Sequence, residues 1–204
     1  TDITLLKTVI EYIYQNGGRC AITEGANGYL KENLIQSGMR EILNHFEMKV
    51  IDADLEDYEE VISCGEYHYI PKCFKEYPVR IALPSASKRK EMYYSNNIKL
   101  FVGAVPRKMY QSDNAAGNRV PRPRIHQNLD RSVSSLFLAM EKYAPFQFYI
   151  NGGLAYHENI GEFHFAETFI GNNALELDCH IFQKYFNGCI YPDYLNILKN
   201  AERE

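Results

Sequence analysis

The strongest constraint on the fold is an alternation at the start of the chain. Helix-period apolar stripes and short apolar runs follow one another there. Ile3, Leu6, Ile10 and Ile13 recur at spacings of three and four, and Asn16-Gly17-Gly18 closes the stripe, which predicts an amphipathic helix. Cys20-Ala21-Ile22-Thr23 is a short apolar run fit for a buried strand, ended by the turn Glu24-Gly25-Ala26-Asn27-Gly28. A second helical stretch over 29–46, with a break at Gly38, leads to a second strand, Met48-Lys49-Val50-Ile51, and to the acidic run 52–57. Helix, strand, helix, strand is the pattern of an α/β protein. The expected fold is one α/β/α layered domain over residues 1–204, with a mainly parallel sheet and helices on both faces.

The remaining segments fit that plan. Cys64-Gly65-Glu66 predicts a hairpin, and residues 79–83 a strand closed by Pro84. The apolar run 98–105 precedes a loop over 106–126 rich in Gly, Asn, Pro and Arg. Leu129, Val133, Leu136, Phe137 and Met140 form the stripe of a long helix that starts at Asn128. Strands are expected over 146–150, ending at Asn151-Gly152-Gly153, and over 168–170, ending at Gly171-Asn172-Asn173. Helices follow over 173–186 and 193–201, with Pro192 at the first turn of the last. The 204 residues suffice for one core, and no repeat or linker divides them.

Charge is distributed unevenly along this frame. The net charge of −4 excludes a generally basic nucleic-acid binder. Yet residues 80–124 hold ten Lys and Arg against Glu91 and Asp113, a local +8 that leaves −12 on the rest. No apolar run reaches the roughly 18 residues of a membrane span, and Thr1-Asp2-Ile3-Thr4 lacks the features of a signal peptide. The five Cys are odd in number and lack a C-x-x-C pair, so reduced, mostly buried thiols in a cytoplasmic protein are expected. Nucleophile-elbow, phosphate-loop and G-x-G-x-x-G motifs are missing, so hydride transfer on a nicotinamide and P-loop phosphoryl transfer have no positive support.

Candidate site residues follow from the strand ends. Glu24-Gly25, residues 84–88, Asn151-Gly152-Gly153 and Gly171-Asn172-Asn173 each end a strand, and in a parallel sheet such ends share the edge where ligands bind. The basic segment admits three readings: a solvated loop, a nucleic-acid track, or a clamp for a compact phosphate or carboxylate. The third is preferred, because an apolar run interrupts the charges and points to a folded pocket wall. Asp178 falls on the apolar face of its helix, with Ala174, Leu175, Ile181 and Phe182. A buried carboxylate needs a partner: a structural hydrogen bond, a ligand or metal, or an ion pair with Lys99 or a loop Arg. His126 closes the basic loop just before a helix, where anion binding or acid–base work competes with packing. His157-Glu158 could reach the same edge, while His45 and His68 read as surface or edge positions.

The order of these motifs resembles a bacterial and archaeal family catalogued as domain of unknown function 362, over nearly the whole chain. The resemblance rests on the first helix with Cys20 to Gly25, Val79 to Lys88, Ile98 to Pro106 with Lys99 and Gly103, His126 before a helix, Tyr149 to Glu158, and Gly171 to Asp178. It implies an α/β fold and supplies no established reaction. Leu100 stands where the family pattern has Asn, Asn151 where it has Asp, and Ser87-Lys88-Arg89 lacks a following His. Any chemistry or metal binding carried by those positions is then lost or changed here. Relatives often continue into a part with clustered Cys, which this chain lacks, so no iron–sulfur cluster is expected. The family's strand before the first helix is also missing, which, with the missing Met, points to an incomplete start.

The expected function is binding of a small anionic ligand, in an enzyme or a binding protein. Lys88, Lys99, Arg107, Lys108, Arg122, Arg124, Asn151 and Asn172 would hold it, and Glu24, His126 and Asp178 are the catalytic candidates. The alternative is an interaction module whose basic segment docks an acidic protein or a nucleic acid. A weaker third idea is a divalent metal on Glu24, His126, Glu158 or Asp178. No membrane partner is expected.

Overall fold

The computed structural model describes residues 1–25, 29–89, 94–111 and 122–201. Helix α1 (Ile3–Gln15) is capped by Asp2, whose Oδ1 accepts from the Leu5 N–H at 3.0 Å. Strand β1 (Ala21–Glu24) pairs in parallel with β2 (Lys49–Asp52). Helices α2 (Leu30–Gln36) and α3 (Met39–His45) connect them, split at Gly38, whose φ of 73° no helix interior accepts. Strands β3 (Tyr58–Ser63) and β4 (Glu66–Pro71) form the expected hairpin. Cys64 and Gly65 both take positive φ there, as a tight hairpin turn requires.

Helix α4 (Cys73–Glu76) leads to two very short strands, β5 (Ile81–Ala82) and β6 (Ser87–Lys88). The apolar run after them is helix α5 (Asn97–Gly103), which buries Ile98 and Phe101. The basic loop begins with a 3-10 turn at Arg107–Tyr110 and ends with helix α6 (Pro123–His126). Lys90, Glu91, Asp113 and Arg119 lie outside the described residues. Helix α7 (Leu129–Tyr143) buries the predicted stripe of Val133, Leu136, Phe137 and Met140. Strands β7 (Phe148–Asn151), β8 (Leu154–His157), β9 (Gly161–His164) and β10 (Phe169–Gly171) follow. Helices α8 (Ala174–Tyr185) and α9 (Asp193–Ala201) complete the fold. The Asn173 side chain caps α8 by accepting from the Leu175 and Glu176 N–H groups.

The expected single, mainly parallel sheet in an α/β/α sandwich does not form. The described strands make four small sheets: β1–β2, β3–β4, β5–β7–β10 and β6–β8–β9. Three strand pairs are parallel and three antiparallel, because β10 runs against β7 and β9 against β8. The break between the two three-stranded sheets has a local cause. Ile81 faces Phe148, but Ser87 faces Tyr156, so the β7–β8 side carries two more residues than the β5–β6 side. The surplus falls at Gly152-Gly153, a turn packed on Thr168 and Asp2; a Cβ on Gly153 would lie 2.3 Å from Asp2 Cγ. Across that turn Asp2 Oδ2 accepts from the Leu154 N–H at 3.1 Å.

The core lies where α5, α7, α8 and α9 meet the β5–β7–β10 sheet, and three tyrosines, Tyr94, Tyr149 and Tyr194, are fully buried in it. His68, expected at a surface or edge position, lies on β4 of the two-stranded sheet but is buried. Its Nε2 lies 2.7 Å from the Ser135 hydroxyl, which itself donates to the Ser63 carbonyl. His45 is exposed, as expected. The five thiols are all free, but only Cys73 is buried.

Candidate functional site

A charge cluster is built at the carboxyl ends of β1 and β2. The Ala53 N–H donates to the Glu24 carbonyl at 3.1 Å, carrying the ladder one step beyond β2 and delivering Asp54. Asp54 Oδ1 accepts from Arg122 Nη2 at 2.8 Å and from the Arg107 N–H at 3.0 Å. The Arg122 guanidinium also donates to the carbonyls of Gly103 and Val105. Its side chain is 3% exposed and that of Asp54 7%, so this is a buried ion pair. Burial pulls the Arg122 pKa down, and Asp54 opposes that shift.

Gly25 sits against this cluster. A Cβ there would fall 2.0 Å from the Gly103 carbonyl oxygen and 3.1 Å from Arg122 Nη2. Only glycine lets β1 and α5 approach so closely. Glu24 stays solvent-exposed, yet the protein around it raises its carboxyl pKa by desolvation, against the pull of the Thr1 ammonium, the Gly25 N–H and Arg122. His126 Nδ1 lies 2.8 Å from the Arg122 carbonyl. A carbonyl only accepts, so Nδ1 carries the proton and Nε2 of the neutral ring is left as an acceptor. Lys108 shares the 3-10 turn of Arg107 and stands 5.7 Å from the centroid of the Tyr58 ring, while exposed Arg124 reaches the Met109 carbonyl at 3.5 Å.

The other predicted residues go elsewhere. Lys88 ends β6 and pairs with Glu158 at 3.1 Å, beside His157, whose ring lies 3.5 Å from Cys189 Sγ. His157 Nδ1 accepts from the Asn159 N–H, so the protonated Nε2 faces the sulfur, and desolvation raises the Cys189 pKa. That arrangement does not make a thiolate nucleophile. Lys99 lies by Asp130 of α7, and burial lowers its pKa.

Asp178 is fully buried and takes the structural option. Its oxygens accept from the Asn97 N–H at 3.0 Å, Asn97 Nδ2 at 2.8 Å and the Ile98 N–H at 3.1 Å, which caps the start of α5. Neither Lys99 nor a loop Arg pairs with it among the described residues. Asn151 belongs to the same network: its Oδ1 accepts from Asn97 and its Nδ2 donates to Asn96. Burial raises the Asp178 pKa to about 7 against these hydrogen bonds.

The four strand-end turns do not share one edge. Strand β10 is antiparallel to β7, and Gly171 faces Tyr149 near the amino end of that strand. Asn172 is therefore carried away from the turn at Asn151, and it is exposed. The metal candidates divide likewise: Glu24 and His126 flank the Arg122 cluster, Glu158 pairs with Lys88, and Asp178 caps α5. No group of three metal-ligating side chains exists among the described residues.

Sequence reasoning missed Asp54 and the Asn96-Asn97 pair. The signal for Asp54 was present, since it follows a parallel strand as Glu24 does. An Asn pair directly before an apolar run is likewise a helix-start signal. Beside the cluster, a cavity of about 830 Å³ opens between α1, β1, β5 and α5, with Glu24 and Gly25 in its lining.

Fold and site together define an α/β protein of small mixed sheets with a buried Arg–Asp pair at a parallel strand edge. The chain belongs to the family described as Domain of unknown function (DUF362), whose family model matches residues 1–180. No curated protein and no solved structure matches it. No helix among the described residues is long and apolar enough to cross a membrane.

Proposed function

We propose that the protein binds a small anionic ligand, bearing phosphate or carboxylate, at the carboxyl ends of β1 and β2. The observation that carries this reading is the meeting of Arg107, Arg122 and His126 at one strand edge, beside the close approach of Gly25 to Gly103. Asp54 and the carbonyls of Gly103 and Val105 hold the buried Arg122 guanidinium, which adds fixed positive charge behind the edge. Lys108 and Arg124 add positive charge on the neighbouring turns. Glu24, with its raised pKa, and His126, with Nε2 as an acceptor, are the groups suited to proton transfer. Asp178 and Asn151 are not favoured as ligand contacts, because both are fully buried and their hydrogen bonds go to Asn96, Asn97 and Ile98 at the start of α5.

Docking of an acidic protein or a nucleic acid has weaker support. Among the described residues of the basic segment, Lys88 is paired, Arg122 is buried, and Arg80 donates to the carbonyls of Phe74, Tyr77 and Pro145. A cytoplasmic location fits five free thiols.

Thermal-shift titration with inorganic phosphate, nucleotides and dicarboxylates tests the reading. At least one should raise Tm in a saturable way, and Arg107→Ala should weaken its binding by about tenfold or more. No rise with any of them, or an equal rise in Arg107→Ala, would overturn it.

A further inference from the structure

The β3–β4 hairpin carries aromatic rings on the face turned away from the core. Alternation puts Val61, His68 and Ile70 on one face, where all three are buried and His68 meets Ser135 of α7. Tyr58, Ile62, Tyr67 and Tyr69 fall on the other face. Ile62 and Tyr67 are more than half exposed there, and Tyr58 and Tyr69 are half-buried. Tyr58 and Tyr69 are diagonal neighbours, and their rings meet edge to face with centroids 5.3 Å apart.

The 3-10 turn Arg107–Tyr110 ties this face to the charge cluster. Its first residue donates its N–H to Asp54, the carboxylate that holds Arg122. The hydroxyl of its last residue, Tyr110, accepts from the Tyr69 N–H at 3.0 Å, and the two rings lie 5.8 Å apart. Burial raises the Tyr110 pKa, and the Arg122 charge is near enough to pull against that rise. Between these residues Lys108 reaches the Tyr58 ring, with its ammonium 5.7 Å from the centroid. Lys108 is exposed, so Tyr58 presents its ring to groups that arrive from solvent. Asp54 and Tyr58 are four positions apart, which fully extended chain spans in at most about 14 Å.

We infer, resting on the anion site proposed above, that its ligand is a nucleotide, with the phosphate at the Arg107–Arg122 edge and the base stacked on Tyr58 in place of the Lys108 ammonium. A compact phosphate or dicarboxylate meets the cationic end only, whereas a nucleotide is long enough to use the ring as well. Stacking on a tyrosine suits any base, because every base has a π face. Lys108, lifted from the ring, turns its charge to the phosphate. Glu60 pairs with Tyr69 on the same face and is exposed. Its carboxylate is suited to accept from a ribose hydroxyl or a base amine, groups that inorganic phosphate lacks.

Isothermal titration of the full chain with adenosine monophosphate and with ribose phosphate tests this, since only the base differs between them. The nucleotide should bind at least about tenfold tighter. Tyr58→Ala should bring the ratio of the two affinities close to one. Tyr58→Leu, which keeps apolar bulk without a π face, should do the same, and Tyr58→Phe should keep the ratio. Arg107→Ala should weaken both ligands. Equal affinities in the parent, or a ratio that survives in either Tyr58→Ala or Tyr58→Leu, would overturn the inference and leave the anion site standing. Binding of neither ligand would overturn both. A single-stranded oligonucleotide that binds while adenosine monophosphate gains nothing over ribose phosphate also counts against it.

Discussion

Two buried polar clusters handle charge in opposite ways. Around Asp178, Asn97 and the start of α5 meet a single carboxylate with neutral donors only, and Asn151 and Asn96 extend the network from Asn97 and from each other. Around Arg122, opposite charges face each other beside an open cavity, and two arginines share one strand edge with Asp54 and Glu24. The first cluster is fully buried and ties α8 to the start of α5. The second is buried at the Arg122–Asp54 pair, yet it is flanked by exposed Glu24 and His126, so its rim faces solvent. In sequence Glu24 and Asp178 are the same kind of residue, an acid near apolar neighbours, and only the partners separate them.

The sharpest break between the clusters is removal of each carboxylate. Asp178→Ala leaves two backbone N–H groups and Asn97 without their acceptor and should lower stability by about 3–5 kcal/mol in urea unfolding. Asp54→Ala strips the carboxylate from buried Arg122 and should lower stability by about 3 kcal/mol. The two should then diverge. Added phosphate should stabilise the Asp54 variant more than the parent, and the Asp178 variant only as much as the parent; equal gains in the two variants would erase the distinction.

A titration sharpens the comparison further, with His68 as the counterexample. The folded state holds the Asp178 proton up to about pH 7, whereas the unfolded chain releases it near 3.8, so this group makes stability fall as pH rises between those values. Burial lowers the His68 pKa from 6.5 to about 4. The unfolded chain takes up that proton first, so the His68 contribution is full above 6.5 and is lost toward pH 4, at about 3 kcal/mol. Asp178→Asn should remove the falling slope and His68→Gln the rising one, both read from unfolding free energy against pH. The smallest effect should come from Arg124→Ala, within about 0.5 kcal/mol of the parent, since that side chain is exposed.

The elements legible in the sequence are those fixed by local chemistry. Asn173 caps α8, Gly38 splits α2 from α3, and Cys64-Gly65 turns the β3–β4 hairpin, each where the residue types require it. Pairing was not legible. Strands β5 and β6 have two residues each and gain their partners 67 and 69 positions later, so no local pattern announces them. The antiparallel return of β10 moved Asn172 off the expected edge for the same reason. His68 was misread although the signal was there: it alternates with buried Ile70, and alternation ranks above residue type on a strand. Arg107, Arg122 and His126, expected from their segment, and Glu24, expected from its turn, stand near one another at the β1–β2 edge. Lys88 and Lys99 share that segment, but the turns between them carry each to a different partner.

Asp2 has a consequence for how the molecule is made. Its carboxylate caps α1 with one oxygen and holds the Leu154 N–H, 152 positions later, with the other. At roughly 5–20 residues per second of synthesis, that second bond waits roughly 8–30 s after Asp2 itself is joined. During translation, α1 is an early element whose final anchor arrives late. The nascent chain therefore keeps the apolar stripe of α1 unlatched until the 152 positions after Asp2 exist, and that interval is when a chaperone or a misplaced strand competes for it.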